Sequence, residues 1–260
     1  MYKLRHWIDK DLLRKSISMN PKAIRLLEAN PDKIDWSYLS MNPEAIHLLT
    51  QNPKKIDWFT LSINPSAIHL LEANPKKYWS QLSKNPGAID LLSNNLDLID
   101  WDILSANPGA IKLLEANQHE IDWFILSLNP AAIPLLEANP SKLIWTFSYL
   151  SSNPAAIHLI EKHVDHISWL QLSSNPAAIH ILEKNPQNID WFNLSANPSA
   201  IHLLESNQDK IDWFQFSKNP SIFEYDYQGM KERTGIFFEE LIQNRFHPKN
   251  MDKFEAWNHD

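Results

Sequence analysis

Asparagine precedes fifteen of the seventeen prolines in this chain, and the pairs recur with a period of about 22 residues. Asn20, Asn42, Asn64, Asn85, Asn107, Asn129, Asn153, Asn175, Asn197 and Asn219 each open a segment of the form Asn-Pro-x-Ala-Ile-x-Leu-Leu-Glu, and the last copy is already eroding. A fixed period means one supersecondary unit stacked on copies of itself, not a single globular core. It tells how the chain builds a surface. It does not tell what that surface holds.

Residues 42–63 show the unit in full. Asn42 has the side chain of an N-cap, and Pro43 has the preset φ of a first helical position. Proline also pushes the preceding residue out of the α region, the backbone an N-cap needs. Helix A then runs to about residue 51, with Ala45, Ile46, Leu48 and Leu49 forming one apolar stripe. A second pair, Asn52-Pro53, stops it. Asp57 is a plausible N-cap for a short helix B that carries Trp58, Leu61 and Ser62 on one face.

Length variation separates the two helices. The third unit is one residue short between Lys77 and Trp79, and the sixth is two residues long, with Phe147 at the tryptophan position. One deletion inside a helix rotates everything after it by roughly 100°, whereas a loop absorbs it. Residues 53–56 and their equivalents therefore read as turn.

Helices this short do not persist alone in water, so neighbouring units must bury their stripes. The tryptophans at 36, 58, 79, 101, 123, 169, 191 and 213 then form a column, each burying roughly 150–250 Å². A core explains them better than sugar or base stacking. Pro134 lies inside a helix A and is expected to bend it. The stack needs polar ends. Residues 1–19, with Arg14 where tryptophan is expected and Lys3, Arg5, Lys10 and Lys15 nearby, read as an N-terminal cap. Beyond residue 220 an amphipathic stretch with Ile236, Phe237, Phe238, Leu241 and Ile242, then a break at Phe246-His-Pro248 and a last helix with Phe254 and Trp257, reads as a C-terminal helical cap.

The composition excludes whole classes of function. With no cysteine, a disulfide framework and a thiolate zinc site are out, which fits a reducing compartment. A formal charge of −7 argues against a protein whose task is neutralising phosphates. None of the four glycines sits in a phosphate-cradling pattern. The opening Met1-Tyr-Lys-Leu-Arg-His-Trp lacks the apolar run of a signal peptide, and no stretch is apolar for long enough to span a membrane. The expectation is a soluble intracellular protein.

Recognition must come from positions that vary between units. One set follows Ala-Ile on helix A: Arg25, His47, His69, Asp90, Lys112, Pro134, His158, His180 and His202. Packed helices stand about 8–10 Å apart, too far for successive histidines to share an ion at about 2.1 Å, so an exposed polar ladder is the reading. The other set follows the tryptophan and its partner four residues on: Phe59 with Ile63, Phe124 with Leu128, Phe192 with Ala196, Phe214 with Lys218. Ser80 with Lys84 and Ser148 with Ser152 hold the same places, which a core would not tolerate. Exposed aromatics are good anchors for a protein partner; packing on the neighbouring unit is the competing view. No catalytic constellation emerges, because repetition supplies identical groups at equal intervals while catalysis needs an asymmetric cluster. No cofactor or small-molecule substrate is indicated.

The unit Asn-Pro-x-Ala-Ile-x-Leu-Leu-Glu…Ile-Asp-Trp-x-x-Leu-Ser resembles the short tandem repeats of many proteins of giant DNA viruses. Tyr225-Asp-Tyr-Gln-Gly-Met-Lys-Glu-Arg, Glu239-Glu-Leu-Ile and Phe246-His-Pro-Lys-Asn are similar to the segment that closes such chains. The resemblance carries no established biochemical role. It implies a viral protein acting in the cytoplasm of an infected host cell. The expected architecture is an elongated all-α solenoid of short two-helix repeats over residues 20–220, capped at both ends. The expected function is a non-enzymatic scaffold binding a protein partner, through Phe59, Ile63, Phe124, Leu128, Phe192, Phe214 and the five histidines. A packaged virion component and a nucleic-acid-binding array are the alternatives.

Overall fold

The computed structural model describes residues 2–240 apart from 75 and 144–146. It divides into a repeat body, Trp7–Ile222, and a terminal body of Met1–His6 with Phe223–Asp260. The repeat body is an all-α solenoid of short two-helix units.

Each unit starts and stops for the reasons its residues supply. Asn42 is extended, and its side-chain oxygen accepts from the Glu44 amide at 3.0 Å. Pro43–Ala45 makes a single 3₁₀ turn that relaxes into α-helix over Ile46–Gln51, a common way for a helix to begin. Asn52 ends it by donating its side-chain amide to the Leu48 carbonyl at 2.9 Å, so one orphan carbonyl of the last turn is satisfied. Pro53–Lys55 is one 3₁₀ turn, Ile56 is extended, and Asp57 caps helix B through the amides of Phe59 and Thr60. The turn reading of residues 53–56 holds. In the short third unit residues 76–78 form no helix before Trp79, so the deletion is absorbed there.

Units are joined through the asparagine that opens them. Its oxygen caps its own helix while its amide donates to two backbone carbonyls of the unit before. Asn64 Nδ2 meets Ser40 O at 3.0 Å and Asn42 O at 2.9 Å, and Asn175 Nδ2 meets Ser151 O at 3.0 Å and Asn153 O at 3.1 Å. The serine of Leu-Ser forms a second rung: Ser40 Oγ donates to Trp36 O at 2.7 Å and accepts from the Asp57 amide at 3.1 Å. These asparagines and serines are buried, and none of their side-chain nitrogen or oxygen atoms lacks a hydrogen-bond partner.

The repeat body has no free ends. Asn20 Nδ2 donates to Ser217 O at 3.1 Å and Asn219 O at 2.9 Å, the pair of bonds that the other units make to their predecessors, Asn107 with the first alone. The Arg14 amide donates to Ser217 Oγ at 2.9 Å, and Ser16 Oγ donates to Phe214 O at 2.8 Å. The 3₁₀ segment Lys15–Met19 packs between helix B of the last unit, Trp213–Lys218, and that of the first full unit, Trp36–Ser40. Among the described residues ten helical segments thus occupy the helix B position, in a closed ring. The expected open, elongated array is corrected: residues 14–19 are no cap but the tenth helix B. Phe216 takes the place of the consensus leucine at this seam and is fully buried, with Trp7 stacked on it at 5.7 Å.

The core differs from the expected tryptophan column. Fully buried positions are the helix A alanine and second leucine, the helix B leucine, and the asparagines and serines; the eight tryptophans are only half-buried. Side-chain bonds from one backbone to the next hold the units too close for an indole between them. An ideal Cβ at Gly87 would already stand 2.9 Å from Pro65 O. The indoles sit at the rim instead, where lysines of the next unit cover some of them: Lys55 over Trp36 and Lys210 over Trp191, both at 4.5 Å. Each fully buried leucine contributes about 1.5–3 kcal/mol. Pro134 falls in the first turn of its α-helix, Ile133–Glu137, and its carbonyl still accepts from the Ala138 amide at 3.0 Å, so the helix continues past it.

In the terminal body Tyr2–Leu4 (β1) pairs antiparallel with Phe223–Tyr225 (β2), Lys3 opposite Glu224. Glu224 also lies 3.9 Å from Lys3 Nζ and 3.6 Å from Arg5, so these basic residues have a carboxylate beside them. A helix follows over Tyr227–Glu240. Leu241, Ile242, the Phe246–Pro248 break, Phe254 and Trp257 lie outside the described residues.

Candidate functional site

The second residue of helix B points away from the leucine and serine that build the core, so whatever stands there meets solvent. Phe59 is 48% exposed, Phe124 44%, Leu170 52%, Phe192 51% and Phe214 40%. The two views of these rings are both part of the answer. Phe59 stands edge-on to Tyr78 at 5.4 Å, Phe124 edge-on to Tyr149 at 5.1 Å, and Phe214 against Tyr38 at 6.1 Å, yet each keeps a large part of its surface open. Ile63 and Leu128, four residues on, are half-buried and add less.

Ring closure groups these positions as the sequence alone did not. Leu170, Phe192 and Phe214 belong to three consecutive units, and the closing seam brings Tyr38 of the first full unit against Phe214. That makes an apolar edge of three exposed side chains, met at its end by the half-buried Tyr38 past Lys15 of the closing unit, while Phe59 and Phe124 stand apart, separated by Ser80 and Asp102. Leu170 carries no ring to mark it as the counterpart of the phenylalanines. Tyr38 was missed because nothing in its own unit says that the last unit is its neighbour but one. Lys218 lies 4.7 Å over the Phe214 ring, and burial pushes its ammonium below the usual lysine value, with Asp212 pulling weakly the other way.

The histidines are exposed but laterally engaged. Nε2 of His47 is 3.0 Å from Glu28, and His158, His180 and His202 stand 2.9, 2.8 and 2.8 Å from Glu137, Glu161 and Glu183 of the preceding unit. His69 faces a unit with Thr50 at the glutamate position. Exposed pairs of this kind contribute about 0.2–1 kcal/mol each, so they bracket the units weakly. Among the described residues no three histidine, aspartate or glutamate side chains converge on a possible metal position. The recurring Asp35, Asp57, Asp100, Asp122, Asp190 and Asp212 are spent as helix caps.

No described helix is long and apolar enough to cross a membrane. Comparison with protein-family models, with curated proteins and with solved structures finds no match to this chain.

Proposed function

We propose that the ring is a non-enzymatic scaffold that holds a protein partner on the apolar edge formed by Leu170, Phe192, Phe214 and Tyr38. One observation carries the reading: three consecutive units leave a large apolar side chain about half open to water at the same position, between units that put Ser148 and Lys15 there. Aromatic anchors of this kind dominate the energetics of protein interfaces. A closed ring holds them at fixed spacing, so little ordering is lost on binding. On the resemblance described above, the partner is met inside an infected cell. The formal charge of −7 weighs against nucleic acid as the partner.

The test is the double variant Phe192→Ala/Phe214→Ala. Each ring is half-buried, so truncation costs the fold about 1 kcal/mol per site and leaves the ring closed. Purification of the tagged wild type and the variant from infected cells, with protein and RNA identified, should recover a protein with the wild type alone. Equal recovery by both, or RNA that is lost in moderate salt, sinks the proposal.

A further inference from the structure

Eight of the ten helix B segments begin with tryptophan. Trp58 shares a hollow with Leu70, Ala73 and Asn74 of the next helix A. Lys55 and Lys210, each nineteen positions after a tryptophan, close over Trp36 and Trp191. The closing unit breaks this pattern. Arg14 stands at the tryptophan position and is exposed. Beside Arg14 there is a cavity of about 440 Å³, lined by Arg14 itself, Ile17, Leu26, Leu27 and Asn30 with Lys33 at its edge, where the hollow beside Trp58 measures about 410 Å³ and has the indole as one wall. Leu26 and Asn30 are the counterparts of Leu70 and Asn74, and Lys33 follows Arg14 by the same nineteen positions. The residues that flank an indole elsewhere are present here, with an arginine in place of the indole wall. The volume lies in the range of small ligand pockets.

The surroundings say what would be welcome there. Lys10, Arg14, Lys15 and Lys33 border the cavity against only Asp11 and Asp32, so an aromatic group with a negative neighbour is favoured over a neutral or basic one. Six of the ring's own tryptophans have that chemistry, preceded by aspartate in an Asp-Trp pair. We propose that the seam cavity is a binding site for an extended peptide segment of a partner protein that presents tryptophan directly after an acidic residue. The site is separate from the Leu170–Phe192–Phe214 edge and stands or falls independently of it.

The test uses the 260-residue chain and a fluorescein-labelled peptide with the chain's own residues 188–192, Asn-Ile-Asp-Trp-Phe, titrated by anisotropy. Saturable binding is expected. It should weaken roughly tenfold or more when the peptide tryptophan is replaced by alanine, and similarly in Lys33→Glu. Arg14→Trp should fill the cavity from within, abolish binding and raise Tm. Phe192→Ala/Phe214→Ala should bind the peptide as the wild type does. Absence of saturation at millimolar peptide, or undiminished binding by Arg14→Trp and Lys33→Glu, overturns the proposal; Lys33→Glu serves alone if Arg14→Trp does not fold.

Discussion

Substituting Asn20 by aspartate removes one of the three donors that join the two ends of the repeat body and changes almost nothing else. The side chain keeps its shape, and the oxygen that accepts from the Lys22 amide at 3.1 Å remains. The lost Nδ2 serves two buried carbonyls, Ser217 O and Asn219 O; Asn219 O keeps the Ile222 amide at 3.3 Å, so only Ser217 O is stripped of its partner. A buried polar group left unpaired costs about 1–3 kcal/mol, so Asn20→Asp should destabilise by about 1–3 kcal/mol at neutral pH through Ser217 O alone. Burying the carboxylate's charge adds to this. Against the 5–15 kcal/mol typical of a folded domain, that is a large loss. The control is Asn129→Asp in mid-array, whose amide meets Ser105 O at 3.1 Å and Asn107 O at 2.9 Å. Urea unfolding followed by tryptophan fluorescence should give both variants similar penalties. The pH dependence has a definite sign. A carboxylate facing two carbonyls is held above its ordinary range in the folded state, so the penalty is smallest in acid, below the unfolded value, and grows as pH rises through the folded one. An open array leaves Asn20 at a wet end; Asn20→Asp within about 0.5 kcal/mol of wild type, beside a crippled Asn129→Asp, would falsify closure.

Gly87→Ala and Gly109→Ala should destabilise by about 1–3 kcal/mol in the same assay, although Gly→Ala at a compatible site usually stabilises. The added Cβ would lie 2.9 Å from Pro65 O and 2.8 Å from Pro86 O, both backbone, and a gain in stability would show that the units can spread there. Lys218→Met should raise Tm at pH 7. The folded state holds this proton less tightly than the unfolded chain, so the cost is full below the folded pKa and disappears as pH rises past the ordinary lysine value. The advantage of methionine should therefore shrink as pH rises toward the ordinary lysine value and be gone above it, and a lower Tm for Lys218→Met at pH 7 would count against a net desolvation cost.

The local structure was legible because each signal is carried by residues close in sequence. Asn42 and Asp57 announced helix starts, Asn52-Pro53 announced a stop, and the deletion before Trp79 located the turn. Contacts between units were harder to read. The asparagine was understood as a cap, but its second role uses the other end of the same amide, and a cap alone gives no hint of it. Closure was hidden because residues 14–20 lack the tryptophan, the most conspicuous mark of the unit. The quieter mark was there: Ser18 and Asn20 stand two apart, as Ser40 and Asn42 do, and as Ser217 and Asn219 do. The tryptophans misled because hydrophobicity was equated with depth. Depth in this body is set by hydrogen-bonded spacing, which admits alanine and leucine but leaves indole at the rim. The apolar edge followed the same logic, since Tyr38 and Phe214 meet only across the seam.

The seam also constrains the history of the gene. An open stack tolerates duplication or loss of a unit, because each copy answers only to the copies beside it. Around a circle every joint shares the same full turn, and adding one copy would force all the others to bend less. Tandem duplication, the usual way such genes lengthen, is thereby penalised here at every position at once, leaving change within units as the cheaper route to diversity.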